Sequence, residues 1–87
     1  MLQAGIEAVD REAALNWIAT VFEEPVGNLR PETTRDQIRG WDSMGMLTLM
    51  ADLDEKFKIQ LDENDVTSLR TVGDLLELLA RHGALKA

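Results

Sequence analysis

Apolar residues recur along this chain at helical intervals. Ala14, Trp17, Ile18, Val21 and Phe22 fall at i, i+3, i+4, i+7 and i+8, one face of a helix. Asp10 stands just before the pattern and suits an N-cap, with Glu12 near the positive end of the dipole. Pro25 and Gly27 break the pattern, so the spacing predicts a first helix from about Arg11 to about Glu24. A long connection follows, from Pro25 to Trp41. It contains Pro31, Thr33, Thr34 and Gly40, and its sparse apolar residues, Val26, Leu29 and Ile38, suggest that it is pinned to the core. A connection this long in a small domain is unusual and often functional.

The next periodic segment begins at Asp42 or Ser43. Met46, Leu49, Met50, Leu53 and Phe57 make a stripe expected to face the core, with Leu47 beside it. A second face carries Met44, Thr48, Ala51 and Glu55, also at helical spacing. It mixes apolar groups with a hydroxyl and a carboxylate. Lys58 to Leu61 reads as a short extended link. Asp62 then caps a brief helical turn through Val66 and Leu69. Thr71 caps the last helix, with Asp74 three residues on in a capping-box-like position. Val72, Leu75, Leu76 and Leu79 form its apolar face, Arg81 and His82 suit its C-terminal end, and Gly83 terminates it. The pattern predicts an all-α fold of three main helices and a short third one, with a long loop between the first two.

Length makes this one domain: 87 residues, with the helical core at about 10–82 and flexible termini expected. So short a chain leaves no room for a separate catalytic domain. Lys and Arg total 9 against 16 Asp and Glu, a net charge of −7, which argues against binding a nucleic-acid backbone and favours partners with basic surfaces. There is no cysteine, which excludes disulfides, a thiol nucleophile and a cysteine-based zinc site. No stretch approaches a membrane span, so a cytoplasmic monomer is the expectation.

Candidate chemistry centres on Asp42 and Ser43, where the loop ends and the second helix starts. As a bare dipeptide this is an ordinary helix cap. The long loop before it and the two-faced helix after it point instead to an exposed serine among backbone N–H groups, a setting that suits a covalently held phosphate. Hydrolase chemistry has little support. Gly40 and Gly45 flank Ser43 as Gly-x-x-Ser-x-Gly, which is not the nucleophile-elbow spacing. The single histidine, His82, lies at a helix end, so no catalytic residue is assigned. Asp62-Glu63-Asn64-Asp65 lacks the spacing of a calcium loop and reads as a solvated cap, so no metal site is expected.

Trp41-Asp42-Ser43-Met44, then Asp54-Glu55-Lys56-Phe57, Ile59-Gln60-Leu61 and Leu69-Arg70-Thr71-Val72-Gly73-Asp74-Leu75, resemble an acyl carrier protein from the first helix to about Leu79. The frequent family motif is Asp-Ser-Leu; here Met44 replaces the leucine. The resemblance implies a right-handed four-helix bundle. It implies that Ser43 carries 4′-phosphopantetheine, installed from coenzyme A by a phosphopantetheinyl transferase, and that Asp42 presents the serine. The arm would supply the thiol that the chain lacks, to hold acyl or aminoacyl groups as thioesters. The resemblance further implies that the second helix docks partner enzymes through Met44, Thr48, Ala51, Asp54 and Glu55. Those partners are an acyl- or aminoacyl-activating ligase and downstream transferases or synthases. Fatty-acid members often carry glutamate where Thr48 stands, which suggests a specialised or secondary pathway here. The alternative is a non-covalent helical adaptor that uses the same face.

Overall fold

The computed structural model describes residues 8–86. It contains four helices: α1 (Arg11–Phe22), α2 (Ser43–Phe57), α3 (Glu63–Ser68) and α4 (Val72–Arg81). Two single-turn 3-10 helices, Val26–Asn28 and Arg35–Gln37, interrupt the long connection between α1 and α2. Extended pairing among the described residues is limited to two isolated bridges, Val9 with Leu85 and Thr34 with Thr71. The all-α, four-helix architecture expected from the periodicity is the one observed.

Each helix starts on the residue that the sequence marks. Asp10 accepts from the N–H of Ala13 at 2.8 Å, and Asp42 from that of Gly45 at 2.9 Å. Asp62 and Asp65 form a reciprocal capping box at the start of α3. Both carboxylates are thus occupied with backbone N–H groups, as expected for a cap. At α4, Thr71 Oγ1 accepts from Asp74 N–H while Asp74 Oδ2 accepts from Thr71 N–H, both at 3.1 Å.

Helix ends were less well marked. The first helix stops at Phe22, two residues short of the expected Glu24. Glu24 precedes a proline, which disfavours the helical conformation there. The chain closes earlier, with Glu23 in the left-handed region at φ 55°. The N–H of Glu23 then bonds Thr20 O and that of Glu24 bonds Ala19 O. This satisfies two carbonyls that a helix end would otherwise leave bare. Gly83, at φ 74°, closes α4 in the same way, as its sequence position predicts.

One core joins α1, α2 and α4, and half-buried Val66 of α3 packs against it. Ala14, Ile18, Val21 and Phe22 of α1 are buried, as are Met46, Leu49, Leu53 and Phe57 of α2. Val72, Leu75, Leu76 and Leu79 of α4 complete it, and Leu78 is buried as well, so that face is wider than predicted. Met50 and Trp17 are half-buried at its margin. Within the connection Leu29 and Ile38 are buried, but Val26 is exposed and does not pin the loop. Residues 1–7 and 87, the outer parts of the termini expected to be flexible, lie outside the described residues. Inside them, Val9 N–H bonds Ala84 O and Lys86 N–H bonds Val9 O, which ties the segment before α1 to the one after α4.

The connection is fastened to α4 by backbone bonds. Thr33 O accepts from Val72 N–H at 2.9 Å, and Pro31 O accepts from Gly73 N–H at 2.8 Å. These are the first two N–H groups of α4, which have no acceptor inside their own helix. Loop carbonyls therefore complete the cap that Thr71 begins.

A polar tie links α1 to α2. Trp17 packs edge-on against Phe57, with ring centroids 5.1 Å apart, and its Nε1–H donates to Asp52 Oδ2 at 3.0 Å. Asp52 of α2 is thus the acceptor of an interhelical bond. A hydrogen bond to a charged acceptor contributes about 1.5–3 kcal/mol, discounted here because both groups are only half-buried. Trp17→Phe and Asp52→Asn should each lower stability in urea unfolding. Their double-mutant cycle should give a coupling of about 1 kcal/mol. Strict additivity would show that the bond contributes nothing.

Candidate functional site

The loop reaches α2 through three successive residues with different tasks. Trp41 is buried and stacks on Phe22, with centroids 4.9 Å apart and rings 15° from parallel. Its Nε1–H is buried without an acceptor among the described residues, so apolar contact and stacking hold the ring. Asp42 is extended and caps the helix. Ser43 is the first residue of α2 and is exposed. Burial of Trp41 fixes the direction of the chain, and Ser43 emerges on the first turn.

Two glycines allow that approach. A Cβ on Gly40 would lie 1.9 Å from the carbonyl oxygen of Phe22, and one on Gly45 would lie 1.8 Å from the carbonyl oxygen of Gly40. The end of α1, the end of the loop and the first turn of α2 are therefore stacked backbone against backbone. Sequence reasoning noticed these glycines only as flanks of a poor nucleophile elbow. Their packing role needs the third partner, Phe22, which is distant in sequence.

The donors at this helix end are divided. The N–H of Gly45 goes to Asp42 Oδ1 and that of Met46 to Asp42 O at 2.8 Å. Those of Ser43 and Met44 have no protein acceptor among the described residues. An anion on Ser43 Oγ would meet two free N–H groups and the positive end of the dipole, a stabilisation of about 0.3–1 kcal/mol. The Asp42 carboxylate stands beside them but is engaged with the helix. The geometry fits a phosphodiester on Ser43: an exposed hydroxyl, free donors, and a glycine that lets the loop pack against the first turn.

The rest of the exposed face runs along α2. Met44 is 71% exposed, and Thr48, Ala51, Asp54 and Glu55 are also exposed. Thr48 Oγ1 donates to Met44 O at 3.2 Å, which turns its hydroxyl back onto the helix and leaves its methyl outward. Leu47, placed beside the core stripe by periodicity, is 62% exposed. It belongs with Met44 and Ala51, at i+3 and i−4 from them, and the sequence reading missed it. A hollow of about 250 Å³ beside this face is lined by Val21, Phe22, Glu23, Gly40, Met44, Gly45 and Thr48. His82 is not among them; it is the exposed C-cap of α4.

A helical domain that projects one exposed serine from the first turn of a helix has the form of a carrier. Residues 14–79 match the family described as phosphopantetheine attachment site. An acyl carrier protein of Acidothermus cellulolyticus is 27% identical over 77 residues, which cover 84% of this chain and 92% of that one. The meromycolate extension acyl carrier protein of Mycobacterium leprae is 27% identical, covering 85% of this chain and 68% of its own. A shorter stretch of 41 residues is 39% identical to an acyl carrier protein of Chlamydia trachomatis, about half of either chain. No solved structure matches significantly. The chain belongs to the phosphopantetheine-binding carrier family, as a distant homologue of acyl carrier proteins. It is a carrier, not a catalyst, and its cofactor is phosphopantetheine.

The contact between the glycines sets a stringent requirement. Gly45→Ala and Gly40→Ala each force backbone apart, an overpacking cost of about 1–3 kcal/mol, partly offset at Gly45 by better helix propensity. Both variants should unfold at lower urea concentration. A Gly45→Ala protein as stable as the parent would show that the first turn of α2 is not held in this way.

Proposed function

We propose that Ser43 is the attachment point of 4′-phosphopantetheine and that Asp42 presents it by capping α2. The observation that carries this reading is the placement of Ser43: first residue of the helix, exposed, beside two free N–H groups. When bound, the arm supplies a thiol that can hold acyl or aminoacyl groups as thioesters. The chain's own part is to fix the serine in space and accommodate the charge. The helix end favours an anion too weakly to recruit the arm, so a separate transferase must attach it. A hollow of about 620 Å³ between α2 and α3, lined by Met50, Leu61, Val66 and the polar residues 62–64 and 67, lies on the same helix and gives a short cargo somewhere to lie.

The carrier acts as one unit, its helical core spanning about 10–82, and works as a cytoplasmic monomer. No helix among the described residues is long and apolar enough to cross a membrane. Activating ligases, transferases and synthases dock on Met44, Thr48, Ala51, Asp54 and Glu55, with Leu47 added by its exposure. Two large apolar groups beside Ser43 and a threonine turned methyl-outward give this face apolar contact where an acidic one would rely on charge. That balance supports a specialised or secondary biosynthetic pathway, with partners matched to it.

Incubation with coenzyme A and a broad-specificity phosphopantetheinyl transferase should add the mass of one phosphopantetheinyl group. Ser43→Ala should abolish the gain and keep the helical circular-dichroism spectrum. An unmodified parent protein, alongside a modified control carrier, would leave the non-covalent adaptor as the better reading. Apolar docking makes a separate expectation. Met44→Ser should raise the KM of the transferase for this carrier about threefold or more, with kcat little changed. An unchanged KM would remove Met44 from the docking face.

A further inference from the structure

Away from Ser43, the loop and the α3–α4 junction bring two arginines to one hollow. The bridge between Thr34 and Thr71 is antiparallel, and Arg35 N–H bonds Arg70 O at 2.8 Å. In that register Arg35 stands directly opposite Arg70. Two positive charges brought to one hollow repel unless an anion lies between them. The arrangement is notable in a chain with only nine basic residues and a net charge of −7. Both arginines line one hollow of about 410 Å³, together with Thr34, Asp36, Thr67 and Leu69.

The two side chains differ in freedom. Arg35 is half-buried; its Nε donates to Trp41 O at 3.4 Å, and its guanidinium lies 6.0 Å from the centre of the Trp41 ring. Its head is therefore oriented, with the two terminal nitrogens left to donate. Arg70 is exposed and can swing towards it. A guanidinium presents paired N–H donors in a planar fork, the geometry that suits a tetrahedral or carboxylate oxyanion. Two forks and two positive charges match a dianion better than a monoanion. Asp36 opposes this, because its carboxylate lines the same hollow. Thr67 Oγ1 already donates to Glu63 O and offers an anion no proton.

We propose that Arg35 and Arg70 together bind a dianionic oxyanion of the phosphate class in this hollow. The ion would relieve the repulsion across the bridge and join the loop to the start of α4. Through Arg35 it would also steady the carbonyl of Trp41, two residues before Ser43. The site is separate from Ser43, so unmodified protein suffices to test it.

The test follows the arginine Nε–Hε signals of the full chain by NMR while inorganic phosphate replaces chloride at constant ionic strength. Saturable shifts are expected for Arg35 and Arg70, with Arg11 and Arg81 as internal controls that do not saturate. Arg35→Gln and Arg70→Gln should each weaken binding about tenfold, the loss of one charge-assisted fork. Asp36→Asn should tighten it, and acetate should bind much more weakly than phosphate. The amide spectrum reports whether each variant is folded. Should a glutamine variant unfold, Arg35→Lys and Arg70→Lys keep the charge, lose the fork, and should still weaken binding. Unsaturable shifts shared by all arginines would overturn the site, as would unchanged affinity in the folded variants. Equal binding of acetate would overturn its preference for a dianion.

Discussion

Everything at the site depends on one close contact, where the carbonyl of Phe22 meets Gly40 and the carbonyl of Gly40 meets Gly45. No side chain fits between these backbones. The stack of Trp41 on Phe22 lies alongside and supplies the apolar burial that keeps the segments together. A large aromatic side chain can bury 150–250 Å² or so, enough at about 25 cal/mol per Å² to outweigh the local cost of ordering a few loop residues. The contact therefore decides where α2 begins. Ser43 is exposed because the residue two before it is buried.

A second constraint keeps the long connection from being merely long. Backbone polar groups at the start of α4 need acceptors, and the loop provides them through Pro31 O and Thr33 O. Gly73 permits the approach, since a Cβ there would stand 2.9 Å from Pro31 O. The loop is thus fastened at one end to α1, through Phe22, and in its middle to α4. With Leu29 and Ile38 buried between these points, it has few ways to move without breaking the cap of a helix. The connection that its sparse apolar residues suggested was pinned to the core is held there by Leu29 and Ile38 and by backbone bonds to α4.

Most helices could be read directly, because their caps are local. Asp10, Asp42, Asp62 and Thr71 each act within three residues of themselves, so sequence spacing contains the whole interaction. The core stripe of α2 was legible for a similar reason: its period records one continuous buried surface. What escaped was non-local. The bond from Trp17 to Asp52 spans 35 residues, and no local spacing marks it. Gly40 and Gly45 looked like mere flanks of Ser43 until Phe22 was placed against Gly40. Leu47 shows the limit of periodicity itself. It lies one step from the core stripe, and only the packing of neighbouring helices determines which side of that boundary is wet. Val26 failed in the same way, an apolar residue in a loop with nothing above it to bury it.

The chemistry of α2 then follows from what each end of the helix can do. Its N-terminus offers two free N–H groups and a weak field, which can hold a charge but cannot choose a partner. Under the proposed reading selection would come from the side chains that follow: Met44, Leu47 and Thr48 are exposed on the first turns, between the Asp42 cap and the exposed acids Asp54 and Glu55. An enzyme docking on that face would meet apolar surface flanked by negative charge. Long-range attraction can speed the encounter, because it acts over several ångströms. Apolar contact acts only at touching distance, and a polarizable methionine adapts to more than one partner surface. On the proposed docking face these residues would divide the two effects: the exposed acids would favour arrival, and the methionine and leucine beside Ser43 would determine which arrivals stay.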